Sequence, residues 1–319
     1  MNRSCRIAIA ITLLAGAGRA SAFTRETTTR GHPETGVCLA WPDGKRQLTF
    51  QVNAAGASHT ACGNTPAAAA AVASGFAAWA GATRSGEASP CTDVAFVAGA
   101  STNVKKIGRD GVNLVVFRTS RCSDVCTATG SVDCPATFNC WDNTNYGIGT
   151  LGLTTTTFDS DTGEIFDADM ELFAWDGNTV SAGVGGDFTC AAPTDPPCVN
   201  KRGNTTTCNG TDLAAVVTHE AGHVLGLDHV CSNEGSDAYK ACPAGSPVMA
   251  PTVGAIAQRA LSQDDVTGVC TIYPKGAATL TCPSAKPASK GGCSTGGGAG
   301  IGALVSAAMA AWGRRRRRC

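Results

Sequence analysis

The segment HEAGHVLGLDH, His219 to His229, contains three of the chain's five histidines. His219 and His223 are four residues apart, so on a helix their imidazoles lie one above the other on one face. Two neutral imidazoles so placed can hold a zinc ion, and the carboxylate of Glu220 beside them can take a proton from a water at the metal's open position. A helix that ran on unbroken would carry residue 229 about 15 Å along the axis from His219, too far to share an ion. Gly226 removes that obstacle, because glycine tolerates positive φ and ends helices. The chain can then turn back and bring His229 in as a third ligand, with Asp228 orienting the turn. Three protein ligands leave one position of a tetrahedral zinc open.

Positioning these groups requires a helix over TDLAAVVTHEAGHVLG, capped by Thr211 or Asp212. A second helix is announced by LSQDDVTGVCTIY, where Ser262 as N-cap and Asp265 three residues on form a capping-box pattern. Upstream, Gly44–Asn53, Cys91–Val97 and Gly111–Arg118 have strand composition, and Leu151–Phe173 reads as two strands joined at Asp159–Gly163. Ala67–Ala82 is a helix by propensity, with Phe76 and Trp79 facing a core. Five or so strands, one early helix and helices gathered late make an α+β domain.

The extended pattern HExxHxxGxxH resembles that of the metzincin metallopeptidases, and within that clan the chain is most similar to the matrixins. SPVMAP, Ser246 to Pro251, resembles their methionine turn, which implies that Met249 supports the metal site from below, with Pro251 and Gly226 as further structural positions. LSQDDVTGVCTIYP, Leu261 to Pro274, resembles their closing helix. The resemblance implies a twisted, mixed five-stranded sheet with an active-site helix and a C-terminal helix. It also implies a zinc-dependent endopeptidase acting on extracellular or envelope proteins and peptides, with Glu220 as catalytic base. The segment Pro251–Ala257, bearing Thr252, Val253 and Ile256, would line the pocket for the residue after the cut. Calcium is a second expected cofactor, with Asp167, Asp169 and Glu171 on one side of a strand as candidate ligands and Asp159 and Asp161 nearby. The same carboxylates also suit a solvated edge strand. Outside the cluster only His32 and His59 remain, so a second, structural zinc site is not expected. Cys38 can enter a disulfide or ligate the metal in a latent form. Two other readings stand beside the peptidase: a non-catalytic zinc-containing surface binding or adhesion module, and an amidase. Retention of Glu220 opposes the first of these.

The two ends carry addresses. Residues 1–22 have a charged start, an apolar stretch and the small-residue sequence Ala20-Ser21-Ala22, the pattern of a signal peptide cut after Ala22. Residues 23–35 form a short extension, 36–275 the peptidase domain and 276–295 a flexible linker. Residues 296–313 are 18 uncharged residues of membrane-segment length, and 314–319 a basic cytoplasmic tail holding five arginines. This tripartite ending resembles myxobacterial C-terminal sorting signals, which implies export and sorting machinery as partners and a cell-surface or released product. Of 25 basic residues, three lie in the first 19 positions and five in the last six; the remaining 17 face 25 acidic ones, a net of −8. An acidic body argues against nucleic-acid binding. The domain is expected to be monomeric. Fourteen of the seventeen cysteines fall between Cys38 and Cys282, enough for seven disulfides in an oxidising compartment. Cys231 and Cys242 bracket a short loop suited to one of them, and Cys122, Cys126, Cys134 and Cys140 form either disulfides or a zinc knot.

Overall fold

In a computed structural model the described residues are 23–29, 36–56, 62, 65–127, 132–146, 150–174, 188–190, 211–230, 247–251, 256–282 and 301–309. In chain order the main elements are β1 (Thr24–Arg25), β2 (Gln47–Val52), α1 (Thr65–Ala80), β3 (Ala95–Ala98), β4 (Asn113–Arg118), β5 (Thr150–Asp159), β6 (Ile165–Phe173), α2 (Leu213–Val224), β7 (Leu227–Asp228), α3 (Gln263–Ile272) and β8 (Ile301–Met309). The fold is α+β. Its mixed sheet runs β3-β2-β4-β6-β5, and β8 lies antiparallel along the outer edge of β5. β2, β3, β4 and β6 are mutually parallel, while β5 returns antiparallel to β6 through the turn at Ser160–Gly163.

Alternation along the strands decides which side chains meet the helices. From β6, Ala168, Met170 and Leu172 join the core with Val115 and Phe117 of β4, against α1 and α2. Asp167, Asp169, Glu171 and Phe173 point to the opposite face. There Phe173 stacks on Trp141 with ring centroids 5.2 Å apart. The helices approach closely because α1 offers Gly75 to Val217: a Cβ at Gly75 would lie 2.6 Å from Val217 Cγ1. Trp79, fully buried in α1, donates its indole N–H to the Thr218 carbonyl at 2.7 Å, fixing the register of α1 on the helix that carries the histidines.

The ten described cysteines pair as Cys38–Cys282, Cys62–Cys190, Cys91–Cys270, Cys122–Cys140 and Cys126–Cys134. Cys38 is thereby a disulfide partner and not a metal ligand, and the four cysteines weighed as a zinc knot are two bridges across the 120–146 segment. The pair Cys231 and Cys242 lies outside the described residues, as does most of the loop between β6 and α2.

Two boundaries drawn from composition move outward. Residues 23–29 of the extension are part of the fold: β1 pairs antiparallel with β7, and Thr28 N donates to the Val37 carbonyl. At the other end, Thr279 accepts from the buried Arg46 guanidinium, and Cys282 is bridged to Cys38, so the segment read as linker is folded as far as Cys282. Composition concealed these contacts, which the backbone makes at the first boundary and the Thr279 and Cys282 side chains at the second. Within the segment read as membrane-spanning, Ile301–Met309 is a strand; no helix among the described residues is long and apolar enough to cross a membrane.

On the sheet's outer face Arg118, fully buried, donates from Nε to Glu171 at 2.6 Å and from Nη1 to the Lys105 and Pro135 carbonyls. Removing one partner strands a buried charge, so Glu171→Ala is expected to cost about 3–5 kcal/mol. Urea unfolding with disulfides intact measures it; a loss below about 1 kcal/mol would contradict the pairing's role.

Candidate metal centre

α2 starts where Asp212 caps it, its Oδ1 accepting from Ala214 N at 3.0 Å and Ala215 N at 3.3 Å, while Oδ2 accepts from Arg259 at 2.6 Å. Every residue of α2 is buried, so the helix presents His219, Glu220 and His223 in a water-poor interior. It stops at Gly226, whose φ is +78° and where a Cβ would strike the Leu39 carbonyl oxygen. The chain then turns into β7, and Asp228 Oδ1 accepts from His229 N at 2.7 Å, setting the angle at which the third histidine returns.

The result is convergence. The Nε2 atoms of His219, His223 and His229 lie 3.1, 3.2 and 3.2 Å from one another. His219 Nδ1 is 2.7 Å from the Val248 carbonyl oxygen and His223 Nδ1 is 2.8 Å from that of Leu227. A carbonyl can only accept, so both rings carry their proton on Nδ1 and both Nε2 atoms present bare lone pairs. Three ring nitrogens on a tetrahedral zinc at about 2.0–2.1 Å would be about 3.3 Å apart. The donor set, spacing and tautomers therefore fit zinc. Among the described residues these three are the single group of His, Cys, Asp or Glu able to hold a metal ion. Burial depresses the His219 imidazole to about 3 and lowers that of His223, which keeps both neutral and ready to ligate.

The methionine turn is tied to the same centre. Asp265, the N3 residue of the α3 capping box, accepts from Ser262 N at 2.8 Å and also from Val248 N at 2.9 Å and Met249 N at 3.3 Å. Val248 then reaches His219 through its carbonyl. Met249 packs where α2 has Gly222; a side chain there would collide with Met249 Sδ and Trp79. Pro251 is buried at the end of this turn. Residues 252–255 and the side chains of Ile256 and Ala257, expected to line the specificity pocket, lie outside the described set.

Glu220 is fully buried. Its Oε2 accepts from Thr154 Oγ1 of β5 at 2.8 Å, and its Oε1 has no protein partner. A Cβ at Gly152 would lie 2.6 Å from Oε1, so β5 keeps a glycine where the carboxylate must fit. Burial, with the charge of Glu26 adding to it, pushes the Glu220 carboxyl up to about 8. A dication at the histidines would act in the opposite sense.

Asp167, Asp169 and Glu171, the candidate calcium ligands, accept hydrogen bonds from the protein. Asp167 Oδ2 accepts from Gly111 N at 2.7 Å, Asp169 accepts from Gly108 N at 2.7 Å and Leu114 N at 2.9 Å, and Glu171 pairs with Arg118. They anchor the loop before β4, and their oxygens do not gather as a ligand group. Gly152, Thr154 and Glu26 were not legible as site residues, since each reaches the centre from a distant part of the sequence. Asp265 was legible as a cap but not as the support of the methionine turn.

The matrixin peptidase family model matches residues 149–274, which include β5, β6, α2, all three histidines, Met249 and α3. No curated protein matches the chain. That part of the chain is similar to a matrixin-type metzincin, and with the histidine triad the match implies a metallopeptidase.

Two outcomes are expected. His229→Ala should abolish stoichiometric zinc binding at micromolar metal, read by metal analysis after desalting; full retention would contradict the three-nitrogen centre. Separately, burial and the neighbouring Asp167 charge hold the Asp169 carboxyl up to about 8. Because the folded value is raised, the stability that group confers is complete below the unfolded carboxylate value of about 4 and is lost as pH rises through about 8. Asp169→Asn should therefore unfold with a flatter pH dependence than wild type between pH 4 and 8, in chelator. Parallel profiles would contradict this.

Proposed function

We propose that the protein is a zinc-dependent endopeptidase that cuts peptide bonds of proteins outside the cytoplasm. The observation that carries this reading is the convergence of three histidine Nε2 atoms, two of them with lone pairs bared by the Nδ1 partners of their rings, beside a buried carboxyl on the residue after His219 whose Oε1 has no protein partner. A structural metal site has no use for that acid. Zinc held by three nitrogens supplies Lewis acidity toward a carbonyl oxygen and lowers the pKa of water at its open position.

The chain's residues do the remainder. Thr154 fixes one oxygen of Glu220 and leaves the other to accept a proton from the attacking water. As oxygen bonds to the carbonyl carbon and the C–N bond breaks, Glu220 passes that proton to the leaving nitrogen. Gly152 holds open the space in which the carboxylate stands. The substrate would lie extended beside β5, along the outer edge that Ile301–Met309 covers antiparallel in this structure, so that segment must leave the edge before a substrate strand can pair there. Five disulfides among the described residues support export to an oxidising compartment.

Glu220→Gln is expected to keep one zinc per chain and to lose at least about a hundredfold in cleavage of a quenched-peptide library. Gly152→Ala, which displaces rather than removes the base, should lower kcat roughly 10–100-fold with zinc retained. A Glu220→Gln protein that cleaves at the wild-type rate would overturn the assignment of the base. No zinc-dependent cleavage by wild type would move the reading to a binding module.

A further inference from the structure

The metal centre has a contributor that neither its motif nor its mechanism uses. Glu26 stands just after β1, and its Oε1 lies 3.1 Å from His223 Nδ1, with side-chain exposure of 4%. The same nitrogen is 2.8 Å from the Leu227 carbonyl, so its one hydrogen is shared between a carbonyl and a carboxylate. Burial of a carboxylate is costly unless charge or hydrogen bonds compensate it, and Glu26 is placed against a ring whose far nitrogen is committed to the metal.

Its backbone is held on both sides. Glu26 N donates to the Gly226 carbonyl at 2.9 Å, at the residue where α2 turns, and Leu39 N donates to the Glu26 carbonyl at 2.9 Å. Arg25 secures the same strap from its other face, donating to the Leu280 carbonyl at 2.6 Å and the Leu39 carbonyl at 3.1 Å. The strap therefore touches the centre twice: through the backbone at the turn that returns His229, and through a carboxylate at His223.

We infer that Glu26 is a positioning residue for the zinc centre, an outer carboxylate that fixes the tautomer and strengthens the ligation of His223, so that the N-terminal strap is a working part of metal binding. The inference rests on the zinc reading above. Outer carboxylates on ligating histidines make the ring more basic and hold its plane, and their loss typically costs 10–100-fold in metal affinity. Leu227 still accepts from Nδ1 when Glu26 is removed, so the lower end of that range applies.

The test is zinc affinity of the full chain by competition with a chromophoric chelator, with thermal unfolding of the metal-free protein in parallel. Glu26→Ala should bind zinc about tenfold more weakly. Glu26→Gln, which keeps an acceptor oxygen and the shape but not the charge, should fall between Ala and wild type. Glu171→Gln serves as control, because it weakens the Arg118 pair on the opposite face of the sheet without touching the strap or the centre. It should lower the unfolding temperature while leaving zinc affinity within about twofold. Wild-type zinc affinity in both Glu26 variants would overturn the inference, as would a Glu171→Gln loss equal to that of Glu26→Ala. Failure of wild type itself to bind zinc would instead overturn the reading on which the inference rests.

Discussion

Three histidine Nε2 atoms held about 3 Å apart, two of them unprotonated on fully buried rings, are the constraint around which this fold is organised. Lone pairs so placed repel one another and gain nothing from water, so they persist only where other bonds hold the rings. Those bonds come from every part of the chain. Val248 holds His219 and is itself held by Asp265 at the head of α3. Leu227 and Glu26 hold His223, and Asp228 holds the backbone of His229. Gly226 makes the geometry possible, since only a residue tolerating positive φ can turn the chain there against the Leu39 carbonyl.

Electrostatics point the same way. Two carboxyl groups, Glu220 and Glu26, are buried around neutral imidazoles, and burial pushes Glu220 up toward the neutral acid. A dication at the nitrogens compensates both charges and relieves the lone-pair repulsion. Metal binding at these histidines would therefore add to folding stability. β5 contributes the chemical side of the arrangement, with Thr154 and Gly152 shaping the position of Glu220 from the sheet, while the opposite face of the same sheet is stabilised independently by Arg118, Glu171 and the disulfide-stapled segment.

What could be read in advance was local in sequence. The three histidines, Glu220, the terminating glycine and Met249 lie within a few dozen residues, and helix periodicity converts the spacing of those on α2 directly into geometry. The β5–β6 hairpin and the α3 cap were legible for the same reason, because turn and capping signals act over three or four residues. Glu26, Gly152 and Thr154 were not, because they meet α2 only after the sheet has formed, and no periodicity connects them to it. For the carboxylates of β6, alternation shows that they share a face but not what faces them; in the structure they meet backbone N–H groups and Arg118.

X-ray absorption at the zinc edge of the zinc-loaded chain addresses the central claim most directly, since it counts the atoms around the ion. The account requires three imidazole nitrogens at about 2.0–2.1 Å and one oxygen neighbour at the open position. Sulfur scattering at about 2.3 Å, or fewer than three imidazoles, would contradict it.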